Sequence, residues 1–191
     1  MLDVASRRRV PIDVETFHDM GERGRLPNVP LELVHGEILE MTPIGSRHGF
    51  VTTELVRRLT LAVGPAAVVT GSMPLRVDHH NEPQPDVMML RPPATCYRDR
   101  LPVAEDVMLV VEVSDTSYAY DREVKAALYA KAGIREYWIV ALPAGRILQL
   151  TEPAKAALHY RREVIVAGTA LSNLKPAGFP GVVVDLADLL G

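Results

Sequence analysis

The sequence predicts an α/β fold, because strand-like runs and segments of helical periodicity follow each other along the chain. Two central runs are apolar enough to be buried strands, a helical segment follows the second of them, and further strand-like runs approach the carboxyl end. A chain of 191 residues with 48% hydrophobic content can bury a substantial core. We therefore expect a single domain over residues 1–191.

The amino-terminal third should contain a short helix and a pair of strands. Residues 11–20 are expected to form the opening helix, and residues 31–41 read as two strands, or one bent strand, around Gly36. Short strands are also expected at residues 66–70 and 74–77.

A longer helix should lie between these strands. It is expected to begin at Ser46 and to end near Val63, because the pair Gly64-Pro65 stops a helix. Its apolar positions include Phe50, Leu55, Leu59 and Ala62.

The run Val107–Ser114 carries an acid among valines. Period-two alternation predicts that Glu112 shares one face of this strand with Met108, Val110 and Ser114, opposite Val107, Leu109, Val111 and Val113. Glu112 is therefore a carboxylate on a largely buried strand. Because an ionised carboxylate without a partner is costly there, we expect a metal ion or Lys125 beside it.

A second acid opens the other central run, Pro85–Leu90. Two neighbouring strands would bring Asp86 close to Glu112, and carboxylate oxygens are the ligands that Mg²⁺ prefers. A site with only two or three such ligands leaves positions open for water and substrate phosphate, which is a catalytic trait. Two alternatives stay open: Asp86 caps the turn after Pro85, or Glu112 and Lys125 form a structural ion pair.

The helical segment after the second run places Lys125 near the strand ends. Residues 121–132 have helical periodicity, and Gly133 ends the helix. Lys125 lies at the edge of the apolar stripe, where a long side chain can reach back to the strand. The loop of residues 91–106 between the two acid-bearing strands is long enough to be functional, and we expect substrate selection there.

The carboxy-terminal third should add strands. An aromatic strand is expected at residues 135–142, followed by a turn and an antiparallel strand at 146–151. Residues 159–166 read as another strand, and residues 185–190 as a closing helical turn.

Several of these residues together resemble a known family. The resemblance lies in Pro85-Asp86, Glu112-Val113-Ser114, Asp121 with Lys125, Tyr129-Ala130, Gly133, the strand Glu136–Val140, and residues 31–41 followed by Pro43 and His48. This set resembles the Uma2 family, which is similar to the PD-(D/E)XK restriction-endonuclease-like proteins, and it covers nearly the whole chain.

The resemblance implies a restriction-endonuclease-like fold, in which a mixed β-sheet core is flanked by helices and carries additional carboxy-terminal strands. It also implies a catalytic site in which Asp86 and Glu112, with the backbone carbonyl of Val113, hold Mg²⁺ or Mn²⁺. Lys125 takes the role of the superfamily's lysine, whose commonest position, two residues after the acid, is occupied here by Ser114.

Other polar residues are candidates for the surroundings of this site. Glu37 either joins as a third catalytic acid or pairs with an arginine. His48 either donates a hydrogen bond or binds a water near the metal, or is a helix cap or surface residue. Ser114 and Asp121 are further candidates for contacts around the ligands. Tyr129 and Trp138 are expected in the core rather than as base-stacking platforms.

The resulting prediction is a Mg²⁺- or Mn²⁺-dependent endonuclease that hydrolyses phosphodiester bonds of nucleic acid, with DNA as the expected partner. Two alternatives remain. The first is a nuclease fold that serves as a binding or assembly module with little catalysis. The second is a phosphodiesterase that acts on small molecules.

Composition restricts these functions without deciding between them. The formal charge of −3 gives no overall attraction to nucleic acid, although basic clusters occur at Arg7-Arg8-Arg9, Arg57-Arg58, Arg98 with Arg100, and Arg161-Arg162. One cysteine, Cys96, excludes an intramolecular disulfide. No apolar run approaches the length of a membrane span, so we expect no membrane contact and a cytoplasmic location. A homodimer stays open.

Overall fold

The structure is a computed structural model that describes residues 10–190. Its strands are β1 Leu31–Val34, β2 Glu37–Glu40, β3 Val68–Gly71, β4 Val87–Leu90, β5 Val107–Ser114, β6 Glu136–Ala141, β7 Arg146–Ala154 and β8 His159–Ala167. Its helices are α1 Val14–Glu22, α2 Ser46–Val63, α3 Tyr118–Tyr120, α4 Ala126–Ala132 and α5 Ala187–Leu190. A π-helical turn, Asp121–Lys125, joins α3 to α4.

A six-stranded mixed sheet forms the centre of the fold, in the order β3-β4-β5-β6-β7-β8. The β5–β6 pair is parallel and the other pairs are antiparallel. A parallel pair needs a crossover connection, and α3, the π-helical turn and α4 provide it. The mixed sheet flanked by helices, with β7 and β8 as additional carboxy-terminal strands, confirms the predicted fold class.

Helices cover both faces of the sheet, so its central strands are buried on both sides. On one face α2 contributes Val51, Leu55 and Leu59 to a core that also contains the carboxy-terminal segment. On the other face α4 contributes Leu128 and Tyr129.

The helix ends follow from local sequence. Asp13 caps α1 by accepting a 2.7 Å hydrogen bond from the backbone N–H of Thr16. The predicted bounds of α2 are confirmed, since it ends at Val63 before Gly64, whose φ is 53°. Gly133 ends α4 with a φ of 82°, a left-handed conformation that favours glycine.

A β-bulge changes the predicted faces of β5. Met89 pairs with Leu109 but Leu90 pairs with Val107, so Met108 is the extra residue. The predicted alternation holds from Leu109 to Ser114 and is wrong before it, since Val107 joins the core on the α4 side and Met108 packs on the α2 side. Glu112 lies beyond the bulge and keeps its predicted face.

Two other expectations are wrong. Phe50 is 58% exposed, because it lies on the side of α2 opposite the core-facing residues Val51, Leu55 and Leu59. Residues 74–77 do not form a strand; Arg76 makes only an isolated bridge to Val103.

The 91–106 loop lies at the end of the sheet away from the two acids. It connects Leu90 at the end of β4 to Val107 at the start of β5, whereas Asp86 precedes β4 and Glu112 lies near the end of β5. The expectation that this loop selects substrate beside the two acids is therefore not supported.

Candidate active site

A cavity of about 660 Å³ opens where the start of β4 meets the end of β5. Its lining comes from the β1–β2 hairpin and the loop after it, the start of α2, and the segment from β5 to the π-helical turn. Asp86, Glu112, Val113, Asp121, Lys125 and His48 all line it. The fold therefore brings together most of the residues that the sequence singles out.

Asp86 and Glu112 lie on neighbouring chain segments and contact each other's backbone. The Val113 N–H donates a 2.7 Å hydrogen bond to Asp86 Oδ2, and the Asp86 N–H donates a 3.4 Å hydrogen bond to Glu112 Oε2. The antiparallel pairing of β4 with β5 fixes this arrangement through the Val87–Val111 pair. The predicted proximity of the two acids is thus present in the structure.

Glu112 is 3% exposed and receives two further hydrogen bonds on Oε1. Lys125 Nζ donates one at 3.1 Å, and the Tyr129 hydroxyl donates the other at 2.9 Å. Tyr129 is fully buried, as expected for a core residue. The hydrogen bond from its hydroxyl to Glu112 is an additional role that no sequence pattern indicated.

Lys125 lies between two carboxylates. Its Nζ is 3.2 Å from Glu32 Oε2 as well as 3.1 Å from Glu112 Oε1. Glu32 is itself buried and accepts hydrogen bonds from the Gln84 N–H at 3.3 Å and the Tyr120 hydroxyl at 3.4 Å. Glu32 is therefore a member of the site, with its side chain held by three segments of the chain.

Asp121 forms the base of the cavity beside Ser114. Its Oδ2 accepts hydrogen bonds from the Ser114 hydroxyl at 2.7 Å and the Ser117 hydroxyl at 2.6 Å. Ser114, two residues after Glu112, is therefore hydrogen-bonded to the π-helical turn that carries Lys125.

His48 lies at the first turn of α2 and faces Asp86. Its Nε2 is 3.2 Å from Asp86 Oδ2, and this hydrogen bond raises the pKa of His48. His48 therefore contacts a proposed metal ligand directly, as one of its two predicted roles requires.

The buried acids outnumber the positive groups of the cavity. Burial raises the pKa of Glu112 well above its usual value, against the opposing effect of the Lys125 ammonium. Burial likewise raises the pKa of Asp121. Burial alone would lower the pKa of Lys125, but Glu112 and Glu32 raise it, so the lysine stays charged. Such a cluster favours the uptake of a further positive charge.

Comparison with known proteins gives the family. The sequence matches Uma2, described as "Putative restriction endonuclease", over residues 14–187. The chain belongs to the Uma2 family. No curated protein matches it.

A solved structure shares the fold of this Uma2 chain. It is described as a "putative nuclease belonging to DUF820 from Anabaena variabilis", with 14% sequence identity and a TM-score of 0.68. The similarity covers 95% of this chain and 100% of the other. The family description supports a nuclease, and the structural similarity shows the fold. Across residues 10–190, no helix is long and apolar enough to cross a membrane.

Of the acids on the β1–β2 hairpin of this Uma2 chain, Glu32 and Glu40 line the cavity and Glu37 does not, and Glu32 is the one that contacts Lys125. Glu37 is exposed on β2 and is not among the described residues that line the cavity. The expectation that Glu37 is a third catalytic acid is therefore not supported. The signal for Glu32 was present, because it interrupts the apolar run Leu31–Val34 as Glu112 interrupts its own strand.

The basic clusters lie away from the cavity where the structure describes them. Arg57 and Arg58 pair with Glu54, and Arg58 also pairs with Asp188. Arg100 pairs with Asp106. The Arg7-Arg8-Arg9 cluster lies outside the described residues. Of the cavity-lining residues that the structure describes, none is an arginine.

The donor chemistry of the cavity fits a catalytic divalent cation. Two carboxylates, Asp86 and Glu112, line one wall, and the contacts described for Asp86 use only Oδ2. Within residues 10–190, one group of three His, Asp or Glu side chains is close enough to share an ion. This group is Asp13, Glu15 and His79, which is largely exposed and does not include Asp86 or Glu112. A pair of carboxylates is nonetheless a usual Mg²⁺ site, since this ion keeps several waters.

Proposed function

We propose that this protein is a PD-(D/E)XK-type endonuclease that uses Mg²⁺ or Mn²⁺ to hydrolyse phosphodiester bonds of nucleic acid, with DNA as the expected substrate. The observation that carries the proposal is the meeting of Asp86 and Glu112 in one cavity with a buried lysine 3.1 Å from Glu112. The Uma2 family and the fold of the structural relative support the same class of activity.

Asp86 and Glu112, with the carbonyl of Val113, would hold the cation. When bound, the ion would lower the pKa of a coordinated water and polarise the scissile phosphate. The excess of buried carboxyl groups around Lys125 supports this assignment, because a divalent cation would balance charge that one ammonium leaves uncompensated.

Lys125 and His48 would act on the reacting groups from two sides. Lys125 directs two of its three N–H donors at Glu112 and Glu32, and the third can orient the attacking water and stabilise charge that develops on the phosphate. His48 has a raised pKa and faces Asp86, so its imidazolium can donate a proton within the cavity.

The test of the proposal is Mn²⁺ binding by calorimetry, combined with cleavage of a labelled oligonucleotide. We expect the natural protein to bind Mn²⁺ and Glu112→Gln to lose this binding, because an amide oxygen is a weaker ligand than a carboxylate. The control variant Glu123→Gln removes an exposed acid from the π-helical turn that carries Lys125. It should bind Mn²⁺ as the natural protein does. Cleavage should need the metal and should disappear in Asp86→Asn. Binding without any cleavage would contradict the nuclease proposal.

A binding or assembly module is the second candidate, and one observation favours it. Lys125 already lies between Glu112 and Glu32, so the ion pair neutralises part of the site without a metal. A module of this kind predicts no Mn²⁺ binding in either the natural protein or Glu112→Gln. That result would identify Glu112 and Lys125 as a structural pair.

A further inference from the structure

The cavity has two walls of different chemistry. One wall carries Asp86, Glu112 and Lys125. The other comes from the hairpin and the loop after it, where the apolar residues Pro30, Leu39, Met41, Pro43 and Ile44 lie beside the acids Glu32 and Glu40. Ile44 is 62% exposed although it lines the cavity, so an apolar surface lies open beside the proposed phosphodiester site.

The cavity lacks the charges that a duplex would need. A protein that holds double-stranded DNA neutralises several phosphates with lysine and arginine side chains. Within the described lining, Lys125 is the one lysine and there is no arginine, and Lys125 is already held by two carboxylates. Within the cavity, contacts with more than the scissile phosphate must therefore come from groups other than lysine and arginine side chains.

The size of the cavity also limits what can enter. Its volume of about 660 Å³ lies within the range of pockets that enclose small ligands, roughly 300–1,000 Å³. Bases in a duplex are stacked inside the helix, and an apolar wall can reach them only after they are unstacked. Contacts between unstacked bases and apolar or aromatic side chains are the usual source of affinity for single strands.

We propose that the cavity takes one unstacked nucleotide, with its base against the Ile44 wall and its phosphodiester at Asp86 and Glu112. The substrate of the enzyme is then single-stranded nucleic acid, or an unpaired segment within a duplex. This inference rests on the proposed nuclease function and specifies its substrate class. Ile44 is the residue that determines the preference.

The experiment measures binding and cleavage separately. Binding uses fluorescence anisotropy in Mn²⁺ with a fluorescein-labelled phosphorothioate oligonucleotide, which resists hydrolysis. It compares the single strand, the same sequence as a duplex, and a single strand of the same length in which every position is abasic. Cleavage uses the unmodified single strand, the duplex, and a duplex with a central unpaired bulge. A dinucleotide ester serves as the small-molecule substrate.

We expect the single strand to bind about tenfold or more tightly than the duplex, and removal of all its bases to weaken binding by about tenfold. Ile44→Ser should weaken binding of the single strand by about tenfold through loss of apolar contact. Ile165→Ser removes another exposed isoleucine, on β8, and should leave binding unchanged. In the bulged duplex, cuts should fall within the bulge.

Four results would contradict all or part of this proposal. Equal binding and cleavage of duplex and single strand would overturn the inference and leave the nuclease proposal intact. An equal effect of Ile44→Ser and Ile165→Ser would overturn the role of Ile44. Cleavage of the dinucleotide ester with no binding of the longer strand would overturn the inference in favour of a small-molecule enzyme. Single-strand binding that depends on Ile44, without cleavage of any substrate, would support the occupant of the cavity and overturn the nuclease proposal.

Discussion

Lys125 donates a 3.1 Å hydrogen bond to Glu112 Oε1 from a position 13 residues further along the chain. The crossover between β5 and β6 makes this possible, because it returns the chain over the strand that carries Glu112. The π-helical turn Asp121–Lys125 has both of its end residues buried, and π-helical segments are often found at functional sites. The lysine thus reaches the acid from the helix rather than from the strand.

We predict that Lys125→Met destabilises the metal-free protein by about 3–5 kcal/mol, because it removes one partner of a buried ion pair and leaves Glu112 and Glu32 uncompensated. Lys131→Met changes an exposed lysine on α4 and should change the free energy of unfolding by less than about 0.5 kcal/mol. Urea denaturation of both variants measures the difference. Equal stability of the two variants would show that Lys125 does not stabilise the buried acids.

We predict that Tyr129→Phe costs more than Tyr160→Phe. Tyr129 donates to the Glu112 carboxyl group, and a hydrogen bond to this group when it is ionised contributes about 1.5–3 kcal/mol. Tyr160 donates to the neutral carbonyl of Ile134 at 2.9 Å, a contact of about 0.5–1.5 kcal/mol. Both tyrosines are buried, so the two variants remove the same atom from similar surroundings. The free energies of unfolding, compared at one pH, check the order, and the reverse order would contradict the prediction.

We predict that the contribution of His48 to stability depends on pH. Its folded-state pKa is raised above the ordinary value of 6.5 by the hydrogen bond to Asp86. His48 therefore stabilises the metal-free protein fully below that ordinary value, and the contribution is lost as the pH rises through the raised pKa. The stability difference between the natural protein and His48→Gln should accordingly be larger in acid than in alkali. His159→Gln, at an exposed histidine of β8, is the control, and a difference that grows with pH would refute the assignment.

We predict that Mn²⁺ binding strengthens as the pH rises. Burial raises the pKa of Glu112, so a proton competes with the cation for this carboxylate more strongly than for an exposed one. Calorimetry in buffers of different ionisation enthalpy, between about pH 6 and pH 8, would report the number of protons released. If the affinity did not change with pH and the heat did not change with the buffer, no proton would leave the site when Mn²⁺ binds.

Local patterns in the sequence determined most of the elements that form the site. An acid among valines predicts the buried Glu112, a Pro-Asp pair before an apolar run predicts Asp86 at the start of β4, and Gly64-Pro65 predicts the end of α2. These signals depend on neighbours within a few residues, so they can be recognised before the chain is folded.

The tertiary structure alone decided which acid of the hairpin enters the site. Glu32, Glu37 and Glu40 all lie on short strands, but Glu32 alone of the three contacts Lys125, 93 positions away, because the Leu33–Glu82 bridge holds the hairpin against the segment that leads to β4. The bulge at Met108 and the exposure of Phe50 have the same origin. Each depends on the register or packing of segments that are distant in sequence. The residues next to a position in the chain do not determine that register or packing.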